Sequence, residues 1–222
     1  MFNMSRVFAI ATCAALLSVG ITLLVVSWPR LAAFTIALPG DPVMMDIRRR
    51  KDVSPEAVDT LIETYSSALE WYPRGRTLSD LGLAHMVRAE LSGNGISNMG
   101  ELLIAERYVL ESLNRAPMNP YAWVRLSVLW SQLFVPPKFV VGALMNSVHF
   151  ARVSETLWLP RVQLFLAYWP QLDEAARGAA INELSYVYGK YPRWVDRTIK
   201  NYGRESIRHE FGLEFLTVVP TK

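Results

Sequence analysis

The clearest pattern along the chain is an uninterrupted run of apolar residues near its N-terminus. From Val7 to Trp28 no side chain is charged, and a helix of that length crosses a hydrocarbon core of about 30 Å. A cleavable signal peptide has a shorter apolar stretch that ends at small residues, whereas this run ends in Trp28, Pro29 and Arg30. We therefore predict an uncleaved transmembrane anchor. Its lipid-facing residues include Val7, Phe8, Leu16, Leu17, Ile21, Leu24, Val25 and Trp28.

The residues at the end of this run predict that the chain leaves the membrane there. Trp28 suits the membrane interface, and Pro29 predicts a helix end or a kink. The next segment, LAAFTIALP, is too short to return across the bilayer. We expect it to lie along the membrane surface or to cover part of the following domain.

Beyond residue 53 the apolar positions recur with helical spacing, and no alternation of period two persists long enough for a strand. Proline, glycine and capping residues divide this region into eight predicted helices. Short breaks of this kind favour antiparallel packing of neighbouring helices. The predicted helices cover approximately residues 55–72, 77–91, 99–114, 120–133, 138–153, 157–169, 173–188 and 192–203.

Helix starts are marked by capping residues and prolines. Ser54, Asn119 and Asp173 each precede a predicted helix, and their side-chain oxygens can accept hydrogen bonds from its first free N–H groups. Three Pro-Arg pairs look like breaks between hairpins, in which the arginine satisfies free helix-end carbonyl groups. The pairs are Pro73 and Arg74, Pro160 and Arg161, and Pro192 and Arg193.

Small and large residues follow a repeated spacing within the predicted hairpins. Gly82, Ser127 and Ala105 are small residues that allow two helices to approach closely, while large neighbours fill the groove between them. Over residues 55–135 this spacing resembles tetratricopeptide (TPR) repeats. The positions that carry the resemblance are Trp123, Leu126, Ser127 and Trp130, with Ala105 and Pro117 before them, and Leu78, Leu81, Gly82 and His85 in the preceding unit.

The chain departs from the regular repeat at two places. Gly93, Asn94 and Gly95 lengthen one linker, and Pro136 with Pro137 lengthens the next. TPR proteins are generally scaffolds that bind peptides or other proteins, and the resemblance implies that role here. The phrases APMNPYAWVRL and LPRVQLFLAYWPQLDEAAR also look like small membrane-anchored TPR-like proteins of Gram-negative bacteria, some of which are associated with exopolysaccharide production.

These patterns predict an all-α protein with one N-terminal transmembrane helix followed by an antiparallel stack of TPR-like helical hairpins. We divide the chain into a tail and anchor at 1–30, a juxtamembrane linker at 31–53, a TPR-like domain at 54–210 and a C-terminal tail at 211–222.

Charge and cysteine content exclude several functions. Arg6 and Arg30 are the only charged residues among the first thirty, so 21 basic and 20 acidic residues remain. This near balance lacks the excess of positive charge that is typical of nucleic-acid-binding proteins. The single cysteine, Cys13, lies in the apolar run, where we expect a lipid-facing thiol and not a lipidation site. The domain therefore has no thiol for a disulfide or a thiolate metal site.

The sequence contains no recognisable catalytic or cofactor motif. His85, His149 and His209 fall in different predicted helices without metal-ligand spacing, and we expect His85 to be a packing residue. The SGNGISNMG segment lacks the GxGxxG and GKS patterns that bind phosphate, so we predict a hairpin connector. We expect no enzyme activity, no cofactor, no metal and no small-molecule substrate.

Aromatic residues near proline breaks are the candidate partner contacts. Core packing is the alternative for each of them, because Trp and Tyr bury large areas in helical stacks. Trp158 and Trp169 lie next to such breaks and are expected to be partly exposed. Arg161 and Arg193, from two of the Pro-Arg pairs, are the other two candidate partner contacts.

Membrane orientation follows from two conflicting signals. Arg6 favours a cytoplasmic N-terminus, whereas the basic run Arg48 to Lys51 lies about twenty residues beyond the span. We predict a single-pass protein of the bacterial inner membrane with a periplasmic domain. If the domain were cytoplasmic, the basic run could contact anionic lipid. The alternative for the basic run is a solvated turn before a helix. The expected function is a non-enzymatic scaffold or assembly factor for protein partners, with an accessory subunit of a larger membrane complex as the alternative.

Overall fold

A computed structural model describes residues 4–93 and 96–203, with side-chain surroundings given for 12–93 and 98–203. Within these residues the protein is entirely helical and contains no β-strand. The α-helices are α1 (Met4–Ala37), α2 (Asp41–Arg48), α3 (Pro55–Trp71), α4 (Gly75–Leu91), α5 (Ile96–Arg115), α6 (Pro120–Gln132), α7 (Pro137–Phe150), α8 (Glu155–Ala167), α9 (Glu174–Lys190) and α10 (Pro192–Asn201), with a 3-10 turn at Trp169–Gln171.

Helix α1 is the one described helix that is long and apolar enough to span a membrane. Its side chains from Thr12 to Trp28 lie open to the surroundings, and Leu24 is 70% exposed. Val7 and Phe8 belong to the helix, but their side chains lie outside the described surroundings. Pro29 lies inside this helix, which excludes the helix end, one of the two outcomes that its position predicted. A proline within a membrane helix is tolerated because its freed carbonyl group finds other partners.

The segment after the apolar run covers part of the domain, which was one of the two expected arrangements. Ala33 and Ala37 on the last turns of α1 pack toward α3, and Ala33 is buried. Residues 41–48 form α2, a helix that the sequence patterns did not predict, and its Met44 joins the same core. The predicted linker therefore contains a packed helix.

The predicted helix caps are confirmed. Ser54 accepts a hydrogen bond from the N–H of Ala57 at the start of α3, and Asp173 accepts one from Ala176 at the start of α9. Asn119 accepts from the N–H groups of Tyr121 and Ala122 at the start of α6. These bonds satisfy N–H groups that have no partner within the helix.

Small residues lie where helices pack most closely. A Cβ atom added to Gly82 on α4 would lie 2.6 Å from Val109 Cγ2 and 3.2 Å from the Ala105 carbonyl oxygen on α5. Ser127 on α6 is fully buried and donates a hydrogen bond of 2.8 Å to the carbonyl of Val140 on α7. The close approach predicted from these small residues is confirmed in both helix pairs.

The buried apolar side chains form three clusters that follow the chain. The first joins α2, α3 and α4, the second joins α4 to α7, and the third joins α6 to α10. One Pro-Arg prediction fails here, because Pro160 lies inside α8 and does not separate two hairpins.

Candidate functional site

Two of the predicted partner contacts are core residues. Trp158 and Trp169 are each only 7% exposed, so the prediction that they are partly exposed is wrong. The Trp158 ring stacks on Tyr186 of α9 with ring centroids 5.9 Å apart, and the Arg177 guanidinium lies over the Trp169 ring. Core packing, the alternative for these aromatic residues, is what the structure has.

Arg161, the third predicted contact, is also buried. Its side chain is fully enclosed, and Nη1 donates to Glu183 Oε1 of α9 at 2.7 Å and to the Ala151 carbonyl at 2.9 Å. It also donates to the carbonyl and hydroxyl of Ser147 at the end of α7. The expectation that this arginine satisfies helix-end carbonyl groups is therefore confirmed. Arg193 is exposed and stays a predicted partner contact.

The carboxylate of Glu183 is held in an unusual environment. Burial raises its pKa above the ordinary value, and the neighbouring Arg161 only partly opposes this shift. Its Oε2 atom is buried and, among the described residues, accepts no hydrogen bond. This network ties the end of α7 to the middle of α8 and of α9, and its charged groups are buried.

His85 is buried, as expected for a packing residue, and it also has a polar partner that the sequence did not indicate. Its Nδ1 lies 2.7 Å from Glu101 Oε2, and its ring stacks on Tyr108 with centroids 5.5 Å apart. Within residues 4–93 and 96–203, no three His, Cys, Asp or Glu side chains converge to hold a metal ion. His209 lies outside the described residues.

An aromatic patch, formed by Phe134 and Phe139, lies at the connection between α6 and α7. Phe134 is 88% exposed and has a positive φ of 55°. It stands at the end of α6, where the Val135 N–H donates to the Trp130 carbonyl at 2.9 Å. This is the left-handed position that helix ends usually give to glycine. Phe139 is 47% exposed and packs edge-on against Trp130.

Sequence reasoning missed this patch because it read Pro136 and Pro137 only as a lengthened linker. The available signal was an apolar residue, Phe134, at a predicted helix end, directly before a double proline. A large apolar side chain at a site of backbone strain is a reason to suspect a contact surface.

A second feature is the arginine cavity, an open cavity of about 280 Å³ between the end of α1, α2, α3 and the start of α4. Four arginines line it, and two aspartates accompany them. These residues are Arg30, Arg48, Arg74, Arg76, Asp41 and Asp80.

Asp80, in the wall of the cavity, forms ion pairs with three arginines. It is buried, and it lies 2.6 Å from Arg48 Nη2, 3.0 Å from Arg125 Nη2 and 3.8 Å from Arg76 Nε. Burial lowers the pKa of Arg125, which stands behind the wall, and Asp80 opposes that shift. The predicted basic run thus has one member, Arg48, that contributes to this site, while Arg49 and Arg50 lie exposed in the turn after α2.

The second carboxylate is tied to a phenol. Tyr65 on α3 donates a hydrogen bond of 2.7 Å to Asp41 Oδ1. Burial and the nearby Asp41 carboxylate raise the pKa of Tyr65. Asp41 is therefore engaged within the wall, and the arginines give the cavity its net charge.

No protein-family model matches this chain, and no curated protein matches it. Over the residues that the structure describes, the protein is all-helical and has one possible transmembrane helix, an exposed aromatic patch and a basic cavity beside the end of that helix.

Proposed function

We propose that this protein is a non-enzymatic, membrane-anchored scaffold that binds a protein partner through the aromatic patch. The observation that carries the proposal is Phe134, an almost fully exposed aromatic side chain on a left-handed backbone. The exposed ring and the left-handed backbone both cost stability. Packing does not offset this cost, because the Phe134 ring belongs to none of the buried clusters. Large apolar side chains in this setting are typical of surfaces that are covered by a partner.

The domain is proposed to be a stack of TPR-like hairpins, α4 with α5, α6 with α7 and α8 with α9. Opposed pairs of residues support antiparallel packing within each hairpin. In the first, Gly75 lies near Ser112 while His85 contacts Glu101. In the others, the pairs are Pro120 with Ser147 and Ser127 with Val140, and Glu155 with Lys190 and Arg161 with Glu183.

Contacts between successive hairpins support the stack as well. Helix α4 contacts α6, and α6 contacts α8, while α5 contacts α6 and α7 contacts α8. A first helix that meets both helices of the preceding unit is what a helical repeat requires to bury a continuous core. The membrane anchor then restricts the partner search to one surface, which raises the local concentration of the binding site.

The anchor is proposed to hold the domain on the periplasmic side of a bacterial inner membrane, with a role in assembly of an envelope or exopolysaccharide complex. Arg6 near the N-terminal end of the span supports this orientation. A reporter that works only outside the cytoplasm, fused after Lys222, should be active; an inactive reporter, with the fusion present in the membrane, would refute the orientation.

Site-specific photo-crosslinking in intact cells tests the scaffold function. A photoreactive phenylalanine analogue at position 134 of the full chain should give one reproducible adduct with another protein. The matched control places the analogue at position 118, because Met118 is also an exposed apolar residue, 70% accessible, but lies at the opposite end of α6. We expect no adduct there.

A second variant separates a specific surface from a merely reactive probe. Replacing Phe139 by Ala should reduce the adduct at position 134, because both exposed rings flank the same connection and are proposed to contact the same partner. Equal adducts at 134 and 118, or an adduct unaffected by the change at 139, would refute the proposal. The partner identified in this way can then be followed through detergent extraction without crosslinking. If it is retained in stoichiometric amount, the protein is a permanent subunit of a larger complex and not a transient scaffold.

A further inference from the structure

The arginine cavity carries an excess of positive charge that the described residues do not balance. Its four arginines face two aspartates, and Asp80 also binds Arg125 from behind the wall. Neither Arg30 nor Arg74 has a carboxylate within ion-pair distance among the described residues, and Arg30 lies over the Tyr72 ring at 5.2 Å. Positive charges gathered in a concave site are stabilised by an anion that fills it.

The cavity lies at the level where the membrane helix leaves the hydrocarbon. Arg30 follows Trp28 by two residues, a rise of about 3 Å along the helix axis. Ala33 and Ala37, one and two turns further on, already pack against the domain. The part of the cavity lining that lies on α1 therefore begins at the end of the uncharged run, where the lipid headgroups are expected.

Two of the apolar side chains that line the cavity are exposed. Phe34 on α1 and Met45 on α2 line the cavity, yet they are 55% and 48% exposed. A free inorganic anion has no apolar part that could contact these two side chains. A phospholipid has a phosphate together with glycerol carbons and the beginning of its acyl chains. Exposed apolar groups next to arginines at membrane level thus match an amphipathic anion.

We propose that the arginine cavity binds the phosphate headgroup of an anionic phospholipid from the leaflet beside the domain. Arginine suits this ligand because its planar guanidinium donates two parallel hydrogen bonds to phosphate oxygens. Arg30 and Arg74 are the primary phosphate ligands, and Arg76 and Arg48 complete the positive wall while Asp80 fixes their positions. The bound lipid holds the domain against the membrane at a defined angle to α1.

The test uses the full chain purified in an uncharged detergent. The unfolding temperature is measured while short-chain phosphatidylglycerol, short-chain phosphatidylcholine or inorganic phosphate is added over the same concentration range. We expect a saturable rise with phosphatidylglycerol and no comparable rise with the other two, because a ligand that binds only the folded state stabilises it. An equal rise with inorganic phosphate would overturn the lipid assignment, and an equal rise with phosphatidylcholine would overturn selectivity for an anionic headgroup.

Matched variants tie the effect to the cavity. Arg30→Gln with Arg74→Gln should weaken phosphatidylglycerol binding about fivefold for each arginine removed. The control is Arg49→Gln with Arg152→Gln, which makes the same change in net charge at exposed residues outside the cavity. Equal weakening in both double variants would show that only general charge attraction operates and would overturn the proposal.

One single variant protects the test against loss of folding. Arg74→Gln removes a side chain that makes no hydrogen bond to another described residue, so the ligand-free unfolding temperature should stay unchanged. If the double variant in the cavity unfolds, the phosphatidylglycerol titration of this single variant decides the outcome: weakened binding supports the site, and unchanged binding refutes it.

Discussion

Arg161 Nη1 lies 2.7 Å from Glu183 Oε1, and both side chains are almost completely removed from solvent between α7, α8 and α9. The pair links three helices, because Arg161 also donates to backbone and hydroxyl oxygens at the end of α7. Removing charges from water is costly, so such a pair is tolerated only when each partner is retained.

The first prediction is a strong coupling between these two residues. Arg161→Met and Glu183→Met should each destabilise the protein by about 3 to 5 kcal/mol, since each leaves one buried charge without its partner. The double variant should lose much less than the sum. Denaturation by urea in detergent micelles, followed by tryptophan fluorescence, measures all four corners of this cycle. Additive losses would contradict the coupling.

The second prediction concerns pH. Burial raises the pKa of Glu183 from 4.5, so the folded chain holds this proton more tightly than the unfolded chain does. Its contribution to the free energy of unfolding is therefore greatest below about pH 4.5 and falls as the pH rises through that value toward the raised pKa. Glu183→Gln should abolish this fall. Glu174→Gln, an exposed change on the same helix, should preserve it; equal profiles in the two variants would contradict the assignment.

Local signals in the sequence were sufficient for most helix starts. Ser54, Asn119 and Asp173 cap their helices as predicted, because capping depends on a few adjacent residues. Prolines were less reliable. Pro29 and Pro160 lie inside helices, although proline lacks the N–H that an interior helical position donates.

The candidate site depended on information that local patterns do not contain. Trp158 and Arg161 lie next to Pro160, a position that suggested exposure, but α9 covers both with Tyr186 and Glu183. The arginine cavity brings Arg30 and Arg76 together from helices 46 residues apart in the chain. The packing of α1 against α3, and of α3 against α4, creates that proximity.

The third prediction tests the close approach of α4 and α5. Gly82→Ala should destabilise the protein by about 1 to 3 kcal/mol, because the new Cβ would overlap Val109 and press on the Ala105 carbonyl. Gly142→Ala is the matched control, since that glycine lies in α7 with no atom within 4 Å of the added Cβ. It should stabilise the protein by about 0.5 to 1 kcal/mol through helix propensity. Urea denaturation compares the two, and equal effects would contradict tight packing at Gly82.

The fourth prediction tests the anchor. Leu17→Arg places a charge near the middle of the uncharged run and should lower membrane insertion, with a cost of about 2.5 to 3.5 kcal/mol. Leu38→Arg adds the same charge to an exposed position just after α1 and should have little effect. Alkaline extraction of cell membranes, followed by quantification of the pelleted protein, measures both. Equal retention of the two variants would contradict a membrane-spanning α1.

The fifth prediction separates strain from binding at Phe134. Phe134→Gly should raise the free energy of unfolding by about 0.5 to 1 kcal/mol relative to Phe134→Ala, because only glycine adopts the φ of 55° without strain. Both variants lose the same ring, so both should lose the crosslink from a photoreactive probe moved to position 139. If the ring is kept at a strained position for binding, the glycine variant should be more stable than the alanine variant, and both should capture less partner than the unchanged chain. A glycine variant that is no more stable than the alanine variant would refute the strain, and full capture by either would refute the binding role of the ring.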